Sequence, residues 1–262
     1  CSNKLRFFAT VHETPGTPVI GMSVAGVASF AHSVGWVANG SPTHFTDLRV
    51  SVVTDSVSRL APLDPRISAV VDEAARDLSR LGCDTIYATP KPFTDYDVFT
   101  QSTAPLVTSW FAADIEAHQR ELGGAFDVSA LEPASAMMLE MGRGIGPSTY
   151  AAAEQWVQMS SKPWDSFWKK TNFLLTPVTP TTAPPLGWYD DPTTAIPRTL
   201  AMLQYTSWFN ATGNPAIAIP RAVVDGLPVG VQLVGRHGSE AELLALAEAI
   251  ADPSLPSRSN HT

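Results

Sequence analysis

Lysine and cysteine are scarce in this 262-residue chain, and clustered metal ligands and long apolar runs are missing from it. Only five lysines occur, at positions 4, 91, 162, 169 and 170, and Lys169-Lys170 is the one basic cluster. With a net charge of −8, such a chain is not expected to hold nucleic acid, because a phosphate backbone calls for clustered Lys and Arg. The two cysteines, Cys1 and Cys83, form no CxxC, so nothing asks for an oxidising compartment, and a cytoplasmic location is expected. The six histidines (12, 32, 44, 118, 237 and 261) show neither HExxH nor His-x3-5-His spacing, so no metal and no cofactor is expected. No run approaches the ~18 apolar residues that a membrane-spanning helix needs. The longest stretch, Pro18 to Val37, is broken by Gly21, Gly26, His32 and Gly35, which argues against a membrane partner.

What is present is apolar enough to fold. Hydrophobic residues make up 44% of the chain and charged ones 16%, too apolar a balance for a disordered protein and enough for one substantial core or two modest ones. Residues 1–46 form an atypical N-terminal segment rich in Gly and Pro. Lys4 and Arg6 before Phe7 to Val11 faintly resemble a signal peptide, but Glu13 follows the short apolar run. Cys1 would suit a processed lipoprotein start or an N-terminal nucleophile; a truncated chain explains that start more simply.

Regular patterning begins at Leu48. Leu48 to Val53 is short and β-branched and reads as a strand. Asp64-Pro65 opens a helix, with Asp as N-cap and Pro at the first helical position. Ile67, Val70, Val71, Ala74, Leu78 and Leu81 fall on one helical face, and Gly82 stops the helix. Asp84 to Tyr87 is a second strand, completing a βαβ-like unit that points to an α/β sheet with parallel neighbours.

From Phe99 to Lys170 the pattern is mainly helical. Trp110, Phe111, Ile115 and Leu122 mark one apolar stripe, Leu131, Met137, Met138 and Met141 a second, and Tyr150 to Trp168 a third region that Pro163 should divide. These stripes are expected to be core. Phe173 to Leu175 reads as a buried strand, and the Pro-rich stretch Thr176 to Pro185 as a stiff extended loop. A helix is expected over roughly Ile196 to Trp208. Two strands, Ala216 to Ile219 and Val229 to Val234, flank an Asp225-Gly226 turn and form a hairpin whose register Pro220 leaves open. Ser239 and Glu242 make a capping-box pattern before the helix Glu240 to Ile250.

Four segments, in order, resemble one family. Leu48-Arg49-Val50 with Leu63-Asp64-Pro65 comes first. Asn172 to Pro180 is similar to the strand and loop D-x-L-L-x-P-T-x-P of amidase-signature enzymes. Phe209 to Pro220 (FNATGNPAIAIP) is similar to their F-N-x-T-G-x-P-A-I-S-x-P, and Asp225 to Gly235 (DGLPVGVQLVG) to their D-G-L-P-x-G-x-Q-x-x-G. The texture is nearest to bacterial amidases of linear or cyclic amides, nylon-oligomer cyclic-dimer hydrolases among them.

The resemblance implies an α/β/α sandwich around a mixed sheet and metal-free hydrolysis of a carboxylic amide by a Ser nucleophile, a second Ser and a Lys base. Residues 47–262 would be the C-terminal part of such a domain, with its N-terminal part missing. The family's Gly/Ser-rich run (G-G-S-S-x-G-S) and upstream lysine segment have no counterpart in the sequence, so no catalytic residue carries over. Ser160-Ser161-Lys162 is the sole Ser-Ser-Lys and sits in a helical stretch without glycine. The resemblance leaves substrate-pocket candidates, Thr176, Trp208, Phe209 and Asn210, for a small-molecule amide. Core packing for Phe209 and a turn role for Asn210 compete evenly with that reading. It also implies a complementary N-terminal half or a homo-oligomer as partner. A non-catalytic binding module is the competing expectation.

Overall fold

The computed structural model describes residues 45–122 and 127–251; residues 1–44, including the Cys1 reading, lie outside them. Strand β1 (Arg49–Val52) leads through a loop to helix α1 (Pro65–Arg80) and strand β2 (Asp84–Tyr87). As expected, the Asp64 carboxylate accepts from the Arg66 N–H at 2.8 Å and Pro65 occupies the first turn. Gly82, at φ +97°, ends the helix, and a Cβ there would meet the Thr46 methyl at 2.9 Å, so only glycine fits. β2 returns parallel to β1, Arg49 facing Asp84 and Val52 facing Tyr87, which realises the βαβ unit.

Helices α2 (Tyr96–Glu121), α3 (Pro133–Arg143) and α4 (Pro147–Trp168) follow. Strand β3 (Phe173–Pro177) then inserts beside β1. Helices α5 (Pro192–Met202) and α6 (Ser207–Thr212) precede the hairpin of β4 (Ala216–Val224) and β5 (Leu227–Gly235), and α7 (Glu240–Ile250) closes the described chain. The sheet order is β2-β1-β3-β5-β4, parallel across β2-β1-β3 and antiparallel across β3-β5-β4. Asp225 and Gly226 both have positive φ (52° and 77°), the geometry of a tight hairpin turn. The register runs from Ala216 opposite Val234 to Val224 opposite Leu227 and slips once, between Pro220 and Ala222, because Pro220 has no N–H for the ladder.

One sheet face carries Val50, Val52, Leu175, Ile219, Val231 and Leu233 against α1 and α7. The other carries Val53, Leu174 and Val234 against an aromatic layer from the helical insert and the α5–α6 junction. This is the α/β/α sandwich around a mixed sheet. Among the described residues no helix is long and apolar enough to cross a membrane.

Five local expectations are corrected. α4 continues through Pro163, because Trp164 is buried and Phe167 and Trp168 pack against the same aromatic layer, so tertiary contact holds the turn that lacks a hydrogen bond. The single helix over 196–208 is two helices, broken where Gln204 and Tyr205 turn inward. The methionine stripe is not core: Met137 and Met141 are 37% and 45% exposed, while Leu139 and Gly142 face α2. Leu122 is likewise exposed. The capping box does not form, since the Ser239 hydroxyl donates backwards to the Arg236 carbonyl at 2.7 Å.

Candidate functional site

The carboxyl ends of β1, β2 and β3 meet at one place, the end of a parallel sheet where α/β proteins commonly bind ligands. Thr176 lies there, fully buried, its hydroxyl donating to the Pro177 carbonyl at 2.8 Å and accepting from the Gln232 amide at 3.1 Å. Gln232 is directly opposite Thr176 in the β3–β5 register, and its Nε2 also donates to the Tyr205 carbonyl at 3.1 Å. One buried amide therefore ties the strand to the α5–α6 junction.

That junction holds the loop after β1 as well. The Gln204 carbonyl oxygen accepts the Val57 and Ser58 N–H groups, both at 3.0 Å, and its NH2 donates to the Ala201 carbonyl at 2.9 Å. The Tyr205 hydroxyl donates to the Asp55 carbonyl at 2.9 Å, and the Asp55 carboxylate accepts from Thr89 just past β2. Burial holds the Tyr205 phenol above its ordinary range, with the Asp55 charge adding to the effect, so the hydroxyl stays a donor at neutral pH.

Trp208 and Phe209 stand immediately beyond. Trp208 stacks on Phe99 at 4.1 Å between ring centroids and meets Trp164 edge-on at 5.8 Å; Phe209 meets Trp164 at 5.1 Å and Phe93 at 6.0 Å. Both are buried, whereas Asn210 is exposed on the same short helix. Gly213, at φ +73°, turns the chain into β4, where the buried Asn214 amide donates to the Gly235 carbonyl at 3.0 Å.

Of the four residues singled out by sequence, then, Thr176, Trp208 and Phe209 pack about one junction from the inside and Asn210 faces out. Gln204, Tyr205 and Gln232 were not singled out. Gln232 had a signal, a lone amide inside the apolar run Val229-Gly230-Val231-Gln232-Leu233-Val234; Gln204 and Tyr205 had none. Ser160 and Ser161 lie in mid-α4 with their hydroxyls donating to Val157 and Gln158 carbonyls at 2.8 and 2.7 Å. Among the described residues no group of three or more His, Cys, Asp or Glu could hold a metal.

Comparison with known proteins gives the architecture its relatives. Residues 28–244 match the family model described as Amidase. The 6-aminohexanoate-cyclic-dimer hydrolase of Pseudomonas sp. (strain NK87) is 27% identical over 230 residues, 84% of this chain and 46% of that protein. A solved structure of 6-aminohexanoate cyclic dimer hydrolase complexed with substrate superposes with a TM-score of 0.75 at 25% identity, covering 87% of this chain and 52% of that one. A bacterial aryl acylamidase of the amidase-signature family shares the fold at a TM-score of 0.62 and 15% identity, covering 79% of this chain and 44% of that one. The chain spans about half the length of the hydrolase relatives. The family model takes in every strand of the sheet and both ends of the Gln232 bridge, and the chain belongs to the amidase family.

Proposed function

We propose that this chain forms the substrate-side wall of an amidase that hydrolyses a carboxylic amide C–N bond, with the Ser and Lys groups supplied by another polypeptide segment. The observation that carries the proposal is the family match over residues 28–244, which includes the Thr176–Gln232–Tyr205 junction but no Gly/Ser-rich run. An amide carbonyl resists attack unless a base has taken the proton of a nearby hydroxyl and fixed donors face the developing oxyanion. Among the described residues no serine hydroxyl is hydrogen-bonded to a lysine amine, and the one Ser-Ser-Lys spends both hydroxyls on helix carbonyls. In this reading Trp208 and Phe209 back an apolar wall behind Thr176, and the exposed Asn210 amide meets the substrate.

That commitment of Ser160 and Ser161 also favours a second reading, a binding module that keeps the wall without the chemistry. One assay separates the two. Ammonia release from hexanamide is followed with the chain alone, then with a polypeptide carrying the family's Gly/Ser-rich and lysine segments added. The expected outcome is buffer-level release from the chain alone and turnover in the mixture. Turnover by the chain alone overturns the claim that the chemistry is supplied from outside. No turnover in either, with hexanamide still raising the melting temperature, selects the binding module.

A further inference from the structure

Gln232 is only 6% exposed, yet half of its amide is unused. Both of its hydrogen bonds are made by Nε2, one to the Thr176 hydroxyl and one to the Tyr205 carbonyl, each at 3.1 Å. A carbonyl only accepts, so the nitrogen has to be the atom on the Tyr205 side, and this fixes which way the amide is turned. Oε1 has no hydrogen-bond partner among the described residues. It is not walled in either. The side-chain atoms that are both enclosed and unpartnered there are the Nε1 atoms of Trp164, Trp168 and Trp208 and the Nε of Arg221. Gln232 therefore holds a carbonyl oxygen in place by two bonds at the adjoining nitrogen and leaves that oxygen accessible.

The sheet shows what the oxygen opens onto. Val231 and Leu233 point to α1 and α7, so Gln232 points to the opposite face, flanked by Thr176 of β3 and Ala218 of β4. Nε2 is spent on the Thr176 flank, which turns Oε1 toward β4. The aromatic layer on this face reaches Ala216 and stops short of Ala218 and Pro220, which are exposed. Ala218, Pro220 and Gly230, paired with Pro220, floor the uncovered strip, and none of them has a side-chain donor for Oε1.

We propose that Gln232 is a specificity residue whose Oε1 accepts the N–H of the substrate amide, with the substrate lying over this strip. The assignment rests on the amidase reading above. An amide N–H is a donor that an ester and a carboxylate both lack. Oε1 therefore favours an amide over the ester of the same acid, and over the carboxylate that hydrolysis leaves. Two acceptors facing each other repel, which helps that product depart.

The test is binding to the 15N-labelled full chain, read at the Gln232 side-chain NH2 resonances, which Q232M removes and so assigns. Hexanamide, N-methylhexanamide, N,N-dimethylhexanamide and methyl hexanoate are titrated in turn. Hexanamide is expected to move the Gln232 signals saturably with a Kd on the order of 10 mM, as suits so small a ligand. N-methylhexanamide keeps one N–H and should bind comparably. The two probes without N–H should bind at least about threefold more weakly, the range of one neutral hydrogen bond. In Q232M, followed at its backbone resonances, that preference should vanish. Equal binding of all four probes to the wild-type chain, or saturable binding that leaves the Gln232 signals unmoved, overturns the assignment while the substrate wall stands. Neither result depends on Q232M folding. A preference that survives in Q232M overturns the assignment as well. Failure of every probe to bind removes the wall reading together with it.

Discussion

Single side chains settle several properties directly. Cys83 is buried where β2 begins, and burial pushes its thiol up to about 11. At pH 8 the thiolate fraction then falls roughly a hundredfold below that of an unperturbed thiol near 9.0, and alkylation should slow in proportion. Iodoacetamide labelling with peptide mapping, native against urea-unfolded, measures it. Asp64 acts differently. The Arg66 side chain, then the Arg66 N–H, hold its carboxyl below the usual value of 3.8. A depressed carboxylate contributes stability in full above its unfolded pKa and loses it as pH falls through the folded one. Asp64→Ala should therefore lower the melting temperature by a few degrees at pH 7, with the difference shrinking below about pH 4. A constant difference down to pH 2 would contradict the assignment of the cap to the charged form. Asp64 and Pro65 were readable in the sequence because capping is local. Gln204, equally committed, was not, since its partners at Val57 and Ser58 lie more than 140 residues away.

At the scale of elements, the helical insert shows how packing overrides periodicity. α3 meets α2 so closely that a Cβ on Gly142 would stand 2.0 Å from the Thr108 carbonyl oxygen. That approach rotates α3 so that Leu139 and Gly142 face inward and Met137 and Met141 turn out, and a stripe count that weighs Met above Gly misses it. Gly142→Ala must push the helices apart and is expected to cost about 1–3 kcal/mol. Gly144→Ala, at a right-handed backbone position with its nearest contact at 3.4 Å, should stay within about 0.5 kcal/mol of wild type. Urea denaturation of the pair measures both, and equal midpoints would remove the close-contact account. Arg221 is a second device of this scale. From the bulge in β4 it donates to the Ile250 carbonyl at the end of α7 and to the Asp77 carboxylate on α1 at 2.5 Å, pinning two helices to one strand.

For the molecule as a whole, the sheet edges matter most. Parallel strands are normally covered on both faces, yet β2 lies at an edge, with Ile86 and Tyr87 40% and 55% exposed and its outer side unpaired among the described residues. An open edge with apolar side chains promotes association. The chain is expected to self-associate with increasing concentration, and Ile86→Lys to reduce this, as sedimentation velocity would show. A monodisperse wild-type monomer at high concentration would contradict the expectation.

The sequence by itself determined the βαβ start, the hairpin at Asp225-Gly226, the α/β class and the family. Caps, turns and strand alternation act between near neighbours, so they can be read along the chain. Tertiary structure alone decided the break between α5 and α6, the unbroken passage of α4 through Pro163, and the gathering of Thr176, Gln232 and Tyr205 at one junction. Each of these depends on a buried group finding its partner across the fold, and no local pattern carries that information.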